Sequence, residues 1–362
     1  MLRIGVWGNS NNYFFNEVVE ALSIKNEIVY DFDRQNVDFI FCVNDIKPLI
    51  KDKSIPVVTW ISERITWTYF WKNLGVNSSC LYFVTEKTFV NDIKGLTGNN
   101  NVFFLPLATS FKRKSIANSY KYDVSFIGNV MKKQAEIIEK NESFLTLPFK
   151  SEDYRVIKDE IWKKKWCVDC IDVYSFVEMV PILCEYRERL LKHSKVVQDL
   201  FYGYIGMLLT MKRRIFFLDK VKLEQSNITL FPKTWEEVVN EVMTFRNIPY
   251  KDIWKIYNNS RINLNISSMH MPSSLNSRVF DVPICGGFLL TDYREGLYEL
   301  FNKDEIVVYH TLEELLEYIE FFKKNDSERR KIIEKGMERI EKDHSYINRV
   351  DYIVKTCMKV IL

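Results

Sequence analysis

The sequence predicts an α/β protein with two domains, each built around a parallel sheet. Short apolar runs alternate with helical stretches near both ends of the chain, which indicates buried parallel strands joined by helices. The 362 residues also exceed what one hydrophobic core usually holds. Residues 111–121 collect Ser, Lys and Asn without periodicity, and we interpret them as a linker between the two domains.

The first domain is predicted over residues 1–110. Its strands are expected where β-branched and aromatic residues cluster, at residues 3–7, 27–30, 39–43, 56–60, 81–84 and 102–105. A helix is expected between the first two strands, ending near Ser23. The first strand runs into Gly8-Asn-Ser-Asn-Asn12, a loop at the carboxyl end of a strand, where open α/β sheets bind ligands.

The second domain is predicted over residues 122–345. It begins with a strand at residues 122–128 and continues through a mostly helical region, about residues 131–255. Alternation then resumes, with strands at 261–266, 288–291 and 305–309 and helices at 275–284 and 296–301. Thr311 and Glu314 form a capping box that opens a further helix. The last helix, residues 346–362, is expected to pack back toward the first domain.

Composition and charge exclude several classes of protein. With 47% hydrophobic residues and a net charge of +3, the chain is an ordinary globular protein and not a strongly basic nucleic-acid binder. The basic runs at residues 163–165 and 212–214 are interpreted as solvated helix faces, with a membrane-surface or acidic-acceptor patch as the alternative. Seven scattered cysteines, no signal-peptide pattern and no apolar run near ~20 residues predict a cytoplasmic location.

The segment from residue 261 to residue 292 carries the chemistry. Ser273 or Ser274 is expected to cap a helix whose first amides suit a diphosphate. Arg278 would add forked donors for phosphate oxygens, and Asp281, on the same helix face, would accept from ribose hydroxyls. Gly286 and Gly287 would let a ligand approach the backbone. The structural alternatives are a surface ion pair for Arg278 and Asp281 and a helix cap for the glycines.

These residues resemble the CgeB-type (spore-maturation-protein-like) glycosyltransferases. In that family a strand with the sequence INLN precedes a helix with the pattern N-[ST]-R-[VA]-F-[DE]. A strand with the sequence CGGFLLTD follows the helix. The matching residues here are Ile262-Asn-Leu-Asn265, Asn276-Ser-Arg-Val-Phe-Asp281 and Cys285-Gly-Gly-Phe-Leu-Leu-Thr-Asp292. The resemblance continues through Leu300-Phe301, Glu305-Ile-Val-Val-Tyr309, Asp343-His-Ser-Tyr346 and, in the first domain, Val57-Val-Thr-Trp60, Phe104-Leu-Pro-Leu-Ala108 and Asp123-Val-Ser-Phe-Ile-Gly128. It covers nearly the whole chain and is weakest over residues 131–255.

The resemblance implies the GT-B fold, in which two Rossmann-like domains face a cleft, with a helical elaboration here in the middle of the chain. It implies metal-independent sugar transfer from a nucleotide-diphosphate sugar, held by the second domain, to a glycan or protein acceptor such as flagellin or another surface protein. No nucleic-acid partner is expected. Asp281, five residues before Gly286, takes the ribose role. A second acid of retaining members is replaced by Ser273, which leaves the stereochemical outcome open.

The catalytic candidates are Arg278, which would stabilise the leaving diphosphate, and Glu63, a general base at the end of the strand at residues 56–60. Glu86, after the next strand, is the second candidate for the base. The family often has an Asp-rich turn where this chain has Ile61-Ser-Glu-Arg64. The donor-binding candidates are Arg261, Asn265, His270, Ser273, Ser274, Asn276, Arg278, Asp281, Gly286 and Gly287.

No metal site is predicted. Asp31 and Asp33 match an Asp-x-Asp pattern, but this triplet lies at the end of a strand of the first domain and is common by chance. Cys167 and Cys170 form a lone CxxC without a second pair or a neighbouring histidine. His344 is either a structural cap or a ligand. Two other functions stay open. One is a nucleotide-sugar-binding protein without transfer activity. The other is a nucleotide-sugar epimerase of the same fold, which needs catalytic acids and a histidine around the sugar, and this chain has only four histidines.

Overall fold

Runs of β-branched and aromatic residues form two parallel sheets in the computed structural model of this protein, which confirms the predicted two-sheet α/β architecture. The structure describes residues 1–8, 12–30, 37–44, 55–64, 80–140, 146–164, 172–225, 228–239, 243–244 and 248–360. Contacts divide the chain into unit 1, which comprises Met1–Ser110 and Asp343–Leu362, and unit 2, which comprises Phe111–Lys342.

Unit 1 contains a sheet with the strand order β2-β1-β3-β4-β5-β6. The strands are β1 (Arg3–Trp7), β2 (Glu27–Val29), β3 (Phe39–Val43), β4 (Val57–Ile61), β5 (Cys80–Val84) and β6 (Val102–Phe104). Every residue of β3, β4 and β5 is buried, as expected for parallel strands covered on both faces. Helix α1 (Tyr13–Ser23) joins β1 to β2, and helix α2 (Thr88–Thr97) joins β5 to β6. The Asn12 side chain caps α1 by accepting from the Phe14 amide.

Unit 2 contains a sheet with the order β12-β11-β10-β7-β8-β9. Its strands are β7 (Tyr122–Ile127), β8 (Ile228–Phe231), β9 (Met243–Thr244), β10 (Ser260–Asn265), β11 (Leu289–Asp292) and β12 (Val307–Tyr309). The chain proceeds outward from β7 to β9 and then returns to place β10 on the other side of β7. This reversal makes a topological switch point between β7 and β10, where open α/β sheets bind ligands at the carboxyl edge.

A block of helices joins β7 to β8 in unit 2. It consists of α3 (Lys132–Glu139), α4 (Ser151–Lys163), α5 (Val173–Met179), α6 (Pro181–Leu190) and α7 (Lys195–Gln225). The helical region expected to continue to about residue 255 is therefore wrong in its last part, because β8 and β9 follow α7. Although α7 has 31 residues, none of the helices described is apolar enough over sufficient length to cross a membrane.

The remaining helices of unit 2 are α8 (Trp254–Asn259), α9 (Arg278–Ile284), α10 (Leu297–Leu300), α11 (Leu312–Lys324) and α12 (Asp326–Asp343). The helix expected over residues 275–284 is shorter than predicted, since Ser277 is its N-cap and Ser273 and Ser274 precede it in a loop. The loop ends in a local turn, in which Asn276 Oδ1 accepts from the Arg278 amide (3.2 Å). A diphosphate site at a serine-capped helix start is therefore not supported.

The final helix, α13 (Tyr346–Val360), belongs to unit 1. Tyr346, Val350, Ile353 and Cys357 recur at helical spacing and are buried against the sheet and α1. The rings of Trp60 and Tyr346 lie 6.1 Å apart, centroid to centroid, in a T-shaped arrangement. The segment at residues 111–121, interpreted as a linker, runs along unit 2, where the Lys121 amide donates to the Asn259 carbonyl (2.9 Å).

Candidate functional site

Asn265, the last residue of β10, brings together part of the motif segment at the carboxyl edge of unit 2. Its fully buried side chain accepts at Oδ1 from Arg278 Nε (2.8 Å) and Asn276 Nδ2 (3.1 Å). At Nδ2 it donates to Thr291 Oγ1 on β11 (2.9 Å). The structure thus groups three donor-binding candidates, Asn265, Asn276 and Arg278, around one amide.

Arg278, the first residue of α9, reaches across the switch point. It is half-buried, and its Nη1 donates to the carbonyl of Ile127, the last residue of β7. The guanidinium lies 5.7 Å from the ring centroid of Phe126, a distance at which a cation is attracted to the aromatic face. One side chain therefore joins the ends of the two strands between which a ligand is expected.

Arg214, from the middle of α7, lies beside Arg278 and was not predicted. Its Nε and Nη2 donate to the Ile266 carbonyl (3.1 and 2.9 Å), and its Nη1 donates to the Asn129 carbonyl (2.5 Å). Burial, and then the nearby charge of Arg278, lowers the pKa of Arg214 to about 9. The side chain stays charged at neutral pH, but its charge is disfavoured there and an anion would stabilise it.

Asp292, at the end of β11, fixes a second pair of arginines. Its carboxylate accepts from Arg213 Nη1 (3.1 Å), from Arg294 Nη2 (3.2 Å) and from the Ser267 amide (2.9 Å). Burial alone would raise the pKa of Asp292, but Arg294 and Arg213 hold it below its usual range. The interpretation of residues 212–214 as a solvated face is wrong for Arg213 and Arg214. The signal that could have found them is their position inside an apolar helical run.

The loop between β10 and α9 packs directly on α7. The Met269 amide donates to Thr210 Oγ1 (2.7 Å). A Cβ on Gly206 would lie 2.5 Å from the Cα of His270, so only glycine permits this approach. His270 is buried, as is the candidate Ser273 that follows it, whereas Ser274 is half-buried. These side chains therefore belong to a loop whose path is set by α7.

Asp281, the predicted ribose ligand, lies on α9 with no exposed surface. Its Oδ2 accepts from the hydroxyl of Tyr250 (2.8 Å). Tyr250 in turn packs its ring against Phe111, with centroids 5.2 Å apart. The acid therefore lies beneath an aromatic side chain that sequence reasoning did not single out.

Three donor-binding candidates lie away from the carboxyl edge. Arg261 is next to the amino end of β10 and pairs with Asp123 at 3.2 Å. Gly286 and Gly287 precede β11, and a Cβ on either would contact protein atoms, such as the Ser115 carbonyl (2.8 Å) for Gly286. Gly286 also has a φ of +77°, typical of the residue after a helix. Their prediction as ligand-binding residues is corrected, because each has a structural role at the amino edge.

A cavity of about 670 Å³ opens beside Arg278. Its lining comes from the end of β7, the start of α3 and the segment after β8, namely residues 127–130, Lys132, Lys133, Gln134, Glu136, Pro232, Thr234 and Glu237. A Cβ on Gly128, one of the lining residues, would lie 3.0 Å from Arg278 Nη1, so the arginine lies next to the cavity lining. This volume falls within the range of small-molecule sites.

Glu63 follows β4 in unit 1, at the carboxyl edge of that sheet. The residue keeps some exposed surface, while burial around its carboxyl group raises the pKa of Glu63 to about 7. Asn44, with a φ of +54°, holds the turn before it by accepting from the Ser62 amide at Oδ1 (2.7 Å). Glu86 is buried and accepts from the Thr88 hydroxyl (3.2 Å) at the start of α2. Glu63 is therefore the better-placed of the two candidate bases.

The remaining candidates do not form a site. Among the described residues, no group of three His, Cys, Asp or Glu side chains is arranged to hold a metal ion. The predictions on Asp31, Asp33, Cys167 and Cys170 fall outside the described residues. His344 is buried in unit 1, with its Nδ1 2.9 Å from Arg349 Nη2.

A comparison with protein families finds a match in the C-terminal part of the chain. Residues 213–355 match the model of a family described as glycosyl transferase-like. The matched segment contains the four arginines, Asp281 and Asp292. No curated protein matches the sequence.

Solved structures resemble the chain over its whole length. T4 phage BGT in complex with its UDP-glucose substrate has a TM-score of 0.53 at 11% identity, with 99% of each chain covered. The DNA-modifying enzyme β-glucosyltransferase has a TM-score of 0.51 at 10% identity, also over 99% of each chain. An α-glucosyltransferase in complex with UDP-glucose and DNA has a TM-score of 0.51 at 10% identity, covering 98% of this chain and 99% of the other.

At these identities the structural likeness establishes the fold, and the expected GT-B fold is confirmed. The family model adds a glycosyltransferase-like sequence in the C-terminal half, over the segment that contributes the arginines. By class, the protein is therefore a glycosyltransferase with the GT-B fold.

Proposed function

We propose that the protein transfers a sugar from a nucleotide-diphosphate sugar to a hydroxyl group of a glycan or protein acceptor, without a required metal ion. The observation that carries this proposal is the pair Arg214 and Arg278 at the switch point of unit 2. Their guanidinium carbons lie 5.6 and 5.7 Å from the same Phe126 ring, and burial disfavours the charge of Arg214. An anion at this edge would stabilise both charges.

The chemistry of transfer requires such an anion site. As the bond between the sugar and the diphosphate breaks, negative charge develops on the leaving group, and fixed positive groups stabilise it. Arg278 is half-buried, Asn265 and the Ile127 carbonyl orient its guanidinium, and its positive charge together with that of Arg214 would attract phosphate oxygens. The cavity beside Arg278 is the proposed place of the nucleotide.

The other roles follow from this placement. Asp281 would accept from the ribose hydroxyls. Glu63 would be the general base that deprotonates the acceptor if the reaction inverts, since a pKa of about 7 is near the optimum for a base at neutral pH. The motifs favour the CgeB-type group within the glycosyltransferases. We also propose a cytoplasmic location, since the seven cysteines are scattered along the sequence without a disulfide framework.

The donor site is tested by thermal shift with UDP, GDP, CDP and TDP sugars on the wild type and on Arg278→Ala and Asp281→Ala. We expect one nucleotide to stabilise the wild type and both variants to lose most of that shift. Arg261→Ala is the matched control, because this arginine lies at the opposite edge of the sheet. A shift that survives in both site variants would rule out the proposed donor site.

Transfer is distinguished from other functions by release of nucleoside diphosphate. A transferase releases it in proportion to the acceptor, an epimerase releases it without one, and a binding protein releases none. The acceptor panel should contain glycans, flagellin-like proteins and double-stranded DNA, because two of the similar structures have DNA in their descriptions. Acceptor-independent release would contradict the proposed reaction.

A further inference from the structure

We propose that the hydroxyl of Tyr250 competes with the donor ribose for Asp281, and that Tyr250 thereby sets the affinity for the donor. The inference rests on the proposed function, in which Asp281 binds the ribose. It starts from the 2.8 Å hydrogen bond between Tyr250 and Asp281 Oδ2 and from the complete burial of that carboxylate.

A ribose can reach Asp281 only if a covering group moves. Asp281 has no exposed surface, so its carboxylate oxygens are closed to a ligand in the arrangement described here. Tyr250 is one of the covering groups and is itself only half-buried, so part of it borders solvent. Displacing it would open a path from the surface to the acid.

The position of Tyr250 in the fold favours such movement. It begins a single three-residue 3₁₀ turn, Tyr250–Asp252, and lies outside the long helices and the sheet. Its ring packs against that of Phe111, with 5.2 Å between the centroids. A ring pair of this kind is worth about 1 kcal/mol, which a bound ligand can offset.

The tyrosine hydroxyl and the ribose hydroxyl can replace each other as hydrogen-bond donors to Asp281. A tyrosine hydroxyl and a ribose hydroxyl are both neutral O–H donors, and each can give the buried carboxylate the hydrogen bond that it needs. The acid is therefore stabilised before and after exchange. A competing internal donor lowers the apparent affinity, because the ligand binds only the fraction of molecules in which the acid is open.

The test is Tyr250→Phe, which removes the hydroxyl and keeps the ring against Phe111. Calorimetry with UDP and GDP first identifies the ribonucleoside diphosphate that binds the wild type. We expect the variant to bind that nucleotide about tenfold more tightly. A 2′,3′-dideoxynucleoside diphosphate offers Asp281 no hydroxyl, so its affinity should not change. This difference between sugars would not arise from a general loosening of the protein.

Tyr186→Phe is the matched control, because it deletes another tyrosine-to-carboxylate hydrogen bond, to Asp153 Oδ1 (3.0 Å), far along the chain. It should leave both affinities unchanged. Phe111→Leu is a second variant, which weakens the ring pair and should also raise ribonucleotide affinity if Tyr250→Phe fails to fold.

Unchanged or weaker ribonucleotide binding in these two variants would overturn the proposal, as would an equal gain for the dideoxy compound. Asp281→Asn separates this failure from that of the proposed function. If Asp281→Asn binds ribonucleotides as wild type does, the ribose role of Asp281 is wrong. If it loses binding while Tyr250→Phe gains none, only the competition is wrong.

Discussion

Asp292 is a fully buried carboxylate that two arginines share, and its protonation couples stability to pH. Its pKa in the folded protein lies below the ordinary value of 3.8. The stability it contributes is therefore complete above pH 3.8 and is lost as the pH falls through the folded pKa. The pairing matters because the protonated acid would leave Arg213 and Arg294 without a counter-charge at this position.

We predict that Asp292→Asn lowers the free energy of unfolding by about 3 kcal/mol at pH 7, since breaking one side of a buried pair leaves charge uncompensated. Denaturant titrations should show the difference from wild type shrinking as the pH falls below 3.8. Asp304→Asn, which removes an exposed pair with Lys335, should change little. A difference that stays constant with pH would exclude the coupling.

Glu63 gives a prediction about the pH dependence of transfer. Only the carboxylate form accepts a proton, so the rate in wild type should rise with pH through about 7. Glu63→Gln should lower the rate by about 10²- to 10⁴-fold and remove this dependence, as steady-state kinetics over pH 5.5–8.5 (about the range centred on that pKa) would reveal. Loss of rate in Glu86→Gln instead would identify the other acid as the base.

Candidate site residues that lie within one continuous motif could be proposed from the sequence, and those brought in by distant elements could not. Asn265, Asn276 and Arg278 lie within 14 residues of one another, and their separation along the chain (13 residues from Asn265 to Arg278) matches a strand, a loop and a helix. Arg214 contacts Ile266 across 52 residues, and Tyr250 contacts Asp281 across 31. Such contacts follow from tertiary packing, which local spacing does not specify.

Helix α7 and the loop after β10 depend on each other through Gly206. We predict that Gly206→Ala, which places a methyl group against the His270 backbone, lowers the free energy of unfolding by about 1–3 kcal/mol and weakens nucleotide binding. Denaturant unfolding and calorimetry measure the two effects. Gly95→Ala on α2 is the control, because nothing lies within 4 Å of its added Cβ and the helix should gain up to ~1 kcal/mol. Equal behaviour of both variants would contradict the close packing.

The strands of unit 1 could be predicted closely because each is a β-branched or aromatic run between turn-forming residues. β9 has only two residues and so carries no periodicity to recognise. Helix α9 begins later than predicted because the loop before it forms a hydrogen bond with α7. This tertiary contact prevails over the preference of serine for a helix cap. The elements that were predicted wrongly are therefore the short ones whose position depends on residues distant in the sequence.

Each unit has its own sheet and core, which predicts that unit 2 is autonomous. A fragment of residues 111–342 should fold cooperatively and bind the nucleoside diphosphate within about threefold of the full chain, since the arginines, the cavity and Asp281 all lie within it. Circular dichroism and calorimetry would decide. A fragment of residues 1–110 lacks the buried face of α13 and should stay unfolded. A folded 1–110 fragment would show that α13 is dispensable.

The placement of α13 also orders events on the ribosome. Unit 2 has all of its residues once position 342 has emerged, whereas the apolar face of the first sheet waits for Tyr346, Val350, Ile353 and Cys357. Vectorial synthesis would thus complete the second unit of the sequence before the first, leaving nascent hydrophobic surface for chaperones to shield in the meantime.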